Sequence, residues 1–139
     1  MRKLMPTVLT TVALLVPVSL APPAANAAAE AGTTITGTWK GKVFGDNGAA
    51  AGYGAKVRIS RRDGKLRGKV SSGGCHGVWR YKGRSAGWYR FTEVITRDTT
   101  GGNCAPRVAV KARRDGAKLR VVWREPRSGD TATMLARKA

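Results

Sequence analysis

The sequence is poor in the residue types that most often carry catalysis. Its 139 residues include one histidine, two cysteines and eight acidic residues. A nucleophilic triad needs a base beside its nucleophile, and a zinc site needs several thiolate or imidazole ligands. The lone His76 next to Cys75 supplies neither set. We therefore expect a protein that is not an enzyme and that holds no metal and no cofactor.

Long hydrophobic runs are also scarce, and the one apolar stretch lies at the N-terminus. Residues 4–20 follow the basic start Met-Arg-Lys, contain two prolines, and precede a segment with small residues at the −3 and −1 positions before a cleavage site. A membrane anchor would need about 20 unbroken apolar residues. The pattern predicts a secretory signal peptide over 1–27, with Ala29 as an alternative cleavage position. We expect an extracellular protein with a flexible N-terminal segment at 28–34 and no transmembrane segment.

The two cysteines, Cys75 and Cys104, form an isolated pair in a chain predicted to be exported. In an oxidising compartment such a pair indicates a disulfide. A bridge closing a loop of this size stabilises a fold by about 3 kcal/mol when its effect is treated as lost chain entropy.

Beyond the signal peptide, apolar and basic residues alternate with period two, which is typical of strands. Val57 and Ile59, for example, alternate with Lys56 and Arg58. The predicted strands cover residues 36–44, 53–59, 65–70, 77–81, 88–96, 107–113, 119–124 and 131–137.

The turns and the strand count together predict the architecture. Asp63-Gly64 and Asp115-Gly116 stand in two similar segments, and Asp-Gly is a strong hairpin signal, so one shared turn type is expected. Eight strands remove their free edges most simply by closing on themselves. We predict one all-β domain over residues 35–139, an eight-stranded antiparallel up-and-down barrel with one disulfide. A two-sheet β-sandwich is the alternative.

The alternation also assigns side chains to the two faces of the sheet. The core face is predicted to include six aromatic residues: Trp39, Phe44, Tyr53, Trp79, Phe91 and Trp123. Glu93 shares a face with Phe91, and a buried carboxylate is costly unless it is paired or hydrogen-bonded. We expect Glu93 to make a structural polar contact in the interior rather than to serve as an acid or base. Trp88 and Arg90 fall on the outer face as a candidate surface contact.

Gly37-Thr38-Trp39 on the first predicted strand resembles the Gly-x-Trp motif of the calycin superfamily, which includes lipocalins and avidins. The resemblance implies a structural contact between Trp39 and Arg137 at one end of the barrel. With Cys75-His76-Gly77, Glu93 and Cys104, the motif also resembles small secreted actinobacterial domains. The chain is shorter than a typical lipocalin, lacks a C-terminal helix signal and lacks the polar residues with which avidins hold biotin. A ligand pocket of either type is therefore not implied.

Positive charge dominates the composition, with 26 lysines and arginines against eight acids and a net charge of +18. Loss of Arg2 and Lys3 with the signal peptide lowers this excess to 16. Lysine or arginine on the outward face of nearly every strand predicts a uniformly cationic exterior, which attracts polyanions and also favours solubility as a monomer. No helix or ribbon suited to a DNA groove is present, so we expect acidic polymers or an acidic protein as partners rather than a specific nucleic acid sequence.

These observations predict a secreted, non-catalytic binding protein. Its partner would be an envelope polyanion on the exterior or a small ligand in the barrel mouth. The alternative is a secreted protease inhibitor acting through its N-terminal segment or a barrel-end loop, since the chain also resembles bacterial inhibitors of metalloproteases, which are eight-stranded barrels with one disulfide.

Overall fold

The protein is an eight-stranded antiparallel barrel, which confirms the predicted architecture and excludes the two-sheet sandwich. A computed structural model describes residues 34–45 and 51–139. The strands are β1 (Gly37–Gly45), β2 (Tyr53–Arg62), β3 (Lys65–Ser72), β4 (Cys75–Ser85), β5 (Trp88–Asp98), β6 (Arg107–Asp115), β7 (Lys118–Arg124) and β8 (Thr131–Lys138). All eight predicted strands are present, and most extend a few residues beyond their predicted limits. The predicted signal peptide and residues 28–33 lie outside the described residues.

Each strand pairs with its neighbours in the sequence, and β1 also pairs with β8, so the sheet closes without a free edge. The barrel has two different ends. The closed end carries the two-residue turns that follow β2, β4 and β6, together with residues 34–36 and the last residues of β8. The mouth end carries the turn after β3 and two longer loops, 99–106 and 125–130. In the described part of the chain there is no helix long and apolar enough to cross a membrane.

The interior is filled by the apolar side chains that alternate with basic residues along each strand. This follows from the geometry of a strand, in which successive side chains point to opposite faces. The most deeply buried large side chains are Trp39, Trp79, Ile35, Ile59, Leu119, Met134, Val43, Val57 and Val121. The predicted core therefore exists, with one correction. Phe44 is 46% exposed because it directly follows the inward Val43 and so points outward.

An aromatic cluster occupies the middle of the barrel. The ring of Trp79 lies 5.2 Å from that of Phe91 and 6.1 Å from that of Trp123, measured between ring centroids. Gly68 on β3 faces Trp79 on β4, and a Cβ at position 68 would lie only 2.9 Å from the Cβ of Trp79. The cluster therefore depends on a glycine in the neighbouring strand.

The two Asp-Gly segments form different turns, so the prediction of one shared turn was wrong. Arg62 pairs with Lys65, and the central residues Asp63 and Gly64 both have positive φ, as a type I′ turn requires. In the second segment Asp115 itself pairs with Lys118, which makes Gly116 and Ala117 the central residues. Only Gly116 has positive φ there, as in a type II′ turn. The extra residue, Ala117, shifts the turn by one position.

Candidate functional site

The disulfide lies at the mouth end of the barrel. Cys75 begins β4 and Cys104 lies in the loop between β5 and β6, and the two form the predicted bridge with a Cα–Cα distance of 5.7 Å. The bridge ties the loop 99–106 to the barrel wall, so it fixes one side of the opening.

The loop 99–106 is also ordered by Asp98, the last residue of β5. Its carboxylate accepts hydrogen bonds from the backbone N–H of Thr100 at 2.7 Å and from that of Cys104 at 3.2 Å. Hydrogen bonds from the hydroxyl and the backbone of Thr100 hold the pKa of Asp98 below its ordinary value. A charged carboxylate therefore stands at the rim of the mouth at neutral pH.

Glu93 lies inside the barrel, as its position on the Phe91 face predicted. Its exposed fraction is 6%. The indole N–H groups of Trp79 and Trp123 both donate to Oε2 of Glu93, at 2.7 and 2.8 Å. No hydrogen bond to Oε1 occurs among the described residues. Gly77 leaves room for the carboxylate, since a Cβ at that position would lie 3.2 Å from Cγ of Glu93.

Burial and hydrogen bonding act on Glu93 in opposite directions. Burial disfavours the charged form and raises the pKa of Glu93, while the hydrogen bonds from Trp79 and Trp123 lower it. Burial is the larger effect, so the pKa lies above its ordinary value of 4.5. The two indoles do not fully compensate the buried charge.

Above Glu93 the interior widens into a cavity of about 120 Å³, which we call the mouth cup. It is lined by Val43, Tyr53, Ser72, Cys75, Glu93, Ile95, Asn103, Cys104, Ala105, Val108, Trp123 and Ala132. A recess of about 480 Å³ between the loops 99–106 and 125–130 shares Trp123, Ala105 and Asn103 with the cup. The cup thus continues to the surface at the mouth end. Its volume is below the roughly 300–1,000 Å³ of pockets for drug-sized ligands.

The closed end is built around Trp39. Its indole N–H donates to the carbonyl of Ile35 at 2.9 Å. The guanidinium carbon of Arg114 lies 4.9 Å from the centre of the Trp39 ring, and Nζ of Lys138 lies 5.5 Å from it. These two cations occupy the place that the calycin resemblance assigned to Arg137. Arg137 pairs instead with Lys40 and is exposed, because it is one residue out of phase with the inward face of β8.

Trp88 lies on the outer face near Arg90, as predicted, but other residues cover its ring. Nζ of Lys111 lies 4.8 Å from the ring centre and the guanidinium carbon of Arg113 lies 4.4 Å from it. Arg90 stands opposite Lys111 on the neighbouring strand. The use of Trp88 and Arg90 as a surface contact stays a prediction, and the structure adds Lys111 and Arg113 to that surface.

The outer face of β2, β3 and β4 forms a basic groove of about 520 Å³. Its basic side chains are Arg58, Arg62, Arg67, Lys69 and Arg80. None of these five makes a side-chain hydrogen bond or an ion pair with any described residue. We call them the groove cations.

Like charges stand directly opposite one another in this groove. Arg58 faces Lys69 across β2 and β3, and Arg67 faces Arg80 across β3 and β4. Opposite like charges on neighbouring strands destabilise a sheet. The acids of the described chain do not relieve this repulsion, because none of them makes an ion pair or a side-chain hydrogen bond with a groove cation; the ion pair on the outer wall joins Asp115 to Arg120 instead.

Basic residues elsewhere on the barrel are more often engaged. Arg120 forms an ion pair with Asp115 at 2.7 Å, Lys111 and Arg113 cover Trp88, and Arg114 covers Trp39. The sequence predicted cations on the outer face of nearly every strand but did not single out the groove. Only the strand register brings cations from three strands together.

In the part of the chain that the structure describes, no group of three or more histidine, cysteine, aspartate or glutamate side chains is placed to hold a metal ion. A comparison with protein-family models, curated proteins and solved structures finds no match to this chain.

Proposed function

We propose that this protein is a secreted, non-catalytic binding protein that holds an acidic polymer of the cell envelope against the outer face of β2, β3 and β4. The observation that carries the proposal is the set of groove cations, which are unpaired among the described residues and four of which face one another in two pairs across the strands. A polymer with regularly spaced phosphate or sulfate groups would relieve their mutual repulsion on binding. Guanidinium groups, which four of the five carry, suit such oxyanions.

The predicted signal peptide over 1–27 supports secretion. The disulfide also supports it, because disulfides persist in oxidising compartments outside the cytosol. The closed eight-stranded barrel and the Gly37-Thr38-Trp39 strand support a distant calycin-like relationship. We also propose that the protein is not an enzyme. Glu93 is held by hydrogen bonds from two indoles, and the sequence provides no nucleophile and acid that would form a catalytic triad with His76, its one histidine.

The decisive experiment measures binding of the purified protein to heparin and to teichoic acid across a salt series. Binding driven by ion pairs releases counterions, so the logarithm of affinity falls linearly with the logarithm of salt concentration. The triple variant Arg58→Gln, Arg67→Gln, Arg80→Gln is expected to lower the slope by up to about three, roughly one for each lost contact.

The matched control removes the same charge from the other side of the barrel through Arg107→Gln, Arg124→Gln and Arg137→Gln. These three arginines are exposed on the outer faces of β6, β7 and β8. We expect the control to change the slope by less than about one. Equal losses in the two triple variants would show that the attraction is spread over the whole surface. If the protein binds neither polymer at physiological salt, the proposal is wrong and the positive charge serves solubility instead.

A further inference from the structure

The mouth cup combines a buried carboxylate with an opening to solvent. Oε2 of Glu93 receives both indole N–H groups, at 2.7 and 2.8 Å, so its hydrogen-bonding capacity is filled. Oε1 has no partner among the described residues and belongs to a side chain that lines the cup. A buried carboxylate of this kind is stabilised by a cation that pairs with its free oxygen.

We propose that the mouth cup binds a primary ammonium group, with Oε1 of Glu93 as its counter-ion. The cup also offers the aromatic side chains of Tyr53 and Trp123 and the hydroxyl of Ser72. Aromatic rings attract cations through their faces, and a hydroxyl can accept one of the three N–H groups of an ammonium. At about 120 Å³ the cup takes an ammonium with a short alkyl chain. For comparison, an apolar cavity of about 150 Å³ holds benzene.

Acidic side chains are concentrated at the mouth end in spite of the positive net charge, beside Arg127, which also lines the recess there. Four of the six acidic residues in the described chain lie inside or around this end, namely Glu93, Asp98, Glu125 and Asp130. Hydrogen bonds from the hydroxyl and the backbone N–H of Thr100 hold the pKa of Asp98 below its ordinary value, and those from the backbone N–H and the hydroxyl of Ser128 do the same for Glu125, so both are charged. The groove cations lie on the outer wall, and at physiological ionic strength charges are screened beyond about 8 Å.

The ammonium could belong to a free alkylamine or to a lysine side chain of another protein. The two sources share the chemistry at Glu93 and differ at the rim. A lysine within a polypeptide would bring its flanking amides into the recess between the loops 99–106 and 125–130, whereas a free amine would not.

The test uses butylammonium as probe and follows the four tryptophan indole N–H signals of the purified protein by NMR. Saturable shifts are expected for Trp79 and Trp123, which donate to Glu93, with a dissociation constant of about 1 mM for so small a ligand. The signals of Trp39, whose indole bonds to Ile35 at the closed end, and of Trp88 on the outer face serve as internal references. Butanol and propionate, with the same number of heavy atoms, should bind at least about tenfold more weakly, because neither can pair with a carboxylate as a cation does.

Two variants separate the counter-ion from the shape of the cup. Glu93→Gln keeps an oxygen for the indoles and removes the charge, so binding of butylammonium should fall by at least about tenfold. Ala105→Leu leaves Glu93 in place and narrows the cup from its partly buried rim, and should also weaken binding. If Glu93→Gln does not fold, the charge selectivity of the natural protein and the effect of Ala105→Leu still decide the question.

Nα-acetyl-lysine N-methylamide, which keeps the side-chain ammonium of lysine, distinguishes the two sources. Binding at least about tenfold tighter than butylammonium identifies a protein lysine, because the added amides then contribute at the rim. Equal or weaker binding identifies a free amine. Equal binding of butanol and butylammonium, or no saturable shift of the Trp79 and Trp123 signals, would overturn the proposal. Trp79 also lines the groove, so the groove variants can move its resting signal, but they should leave the dissociation constant for butylammonium unchanged. This test and the polymer test therefore fail independently.

Discussion

At the scale of single residues, Glu93 is the side chain whose environment is most unusual. It is a buried carboxylate in a cluster of tryptophans, with both indole donors on one oxygen. Each donor would be left without an acceptor if the carboxylate were replaced by an apolar group. A buried unsatisfied donor costs about 1–3 kcal/mol. The two indoles therefore need the Glu93 carboxylate as an acceptor, just as the buried carboxylate needs them as donors.

We therefore expect opposite behaviour from two substitutions of Glu93 at neutral pH. Glu93→Leu should lower the free energy of unfolding by about 1–3 kcal/mol for each orphaned indole. Glu93→Gln should preserve the indole contacts and remove the buried charge, so it should be neutral or stabilising at pH 7. Urea denaturation of both variants measures the difference, and equal destabilisation by the two would contradict the expectation.

The same pair of proteins tests the sign of the pKa shift. Burial raises the pKa of Glu93 in the folded protein above 4.5, so protonation favours the folded state. The contribution of Glu93 is fully present below the unfolded pKa and is lost as pH rises through the folded pKa. The stability of Glu93→Gln relative to the natural protein should therefore be greater at pH 7 than near pH 4. The reverse trend would mean that the indole hydrogen bonds outweigh burial.

The sequence predicted the placement of Glu93 but not its partners. Alternation along one strand suffices to put Glu93 on the same face as Phe91. The partners Trp79 and Trp123 lie 14 and 30 residues away in the chain, and their approach depends on the register of several strands. The predicted contact between Trp39 and Arg137 was wrong although the pattern along one strand was sufficient to exclude it. A family resemblance pointed to Arg137, although the alternation with Ala136 already placed Arg137 outside.

At the scale of strands and turns, the tight turns show how a single residue changes the backbone. The sequence indicated hairpins at Asp63-Gly64 and Asp115-Gly116, and both exist. The difference between them arises from Ala117, which moves the second turn and leaves Asp115 on a strand beside Arg120. Hairpin positions could thus be predicted from turn residues, whereas turn type required the pairing of the flanking strands.

The turn between β4 and β5 offers a direct test of backbone strain. Ala86 has a φ of 49°, a conformation that costs an L-residue with a Cβ about 1–2 kcal/mol. Glycine adopts it freely but is more flexible when unfolded. Ala86→Gly should therefore raise the free energy of unfolding by about 0.5–1 kcal/mol. Ala117→Gly is the matched control, because Ala117 has no positive φ, and it should be neutral or destabilising. Thermal unfolding of the two variants gives the comparison.

At the scale of the whole molecule, charge and closure act against each other. The closed sheet holds cations of neighbouring strands at fixed spacing, and in the described chain the one ion pair on its outer wall is that of Asp115 with Arg120. Pairs of like charge directly opposite one another each cost about 0.2–1 kcal/mol. Beyond the two pairs in the groove, Lys40 faces both Lys56 and Arg137. Repulsion between these like charges therefore lowers the stability of the folded barrel.

We expect chloride salts to stabilise the protein by screening the repulsion between these cations. The free energy of unfolding should increase by at least about 1 kcal/mol between low and high NaCl. This corresponds to a rise in Tm of about 4–8 °C for a domain of roughly 100 residues. Circular dichroism melts across the salt series provide the measurement. The triple variant of Arg58, Arg67 and Arg80 should show a smaller rise, and a Tm that falls with salt would show that attractive ion pairs dominate instead.

The arrangement of the closed end determines how the protein would be presented on a carrier. Residues 34–36 and the end of β8 lie side by side there, and the backbone N–H of Ala139 donates to the carbonyl of Thr38 at 2.9 Å. The mouth cup opens at the opposite end. A partner domain or solid support joined at the closed end, beside residue 34 or Ala139, would therefore leave the cup pointing away from it. Orientation on a sensor surface or in a fusion protein is thus set by the topology alone.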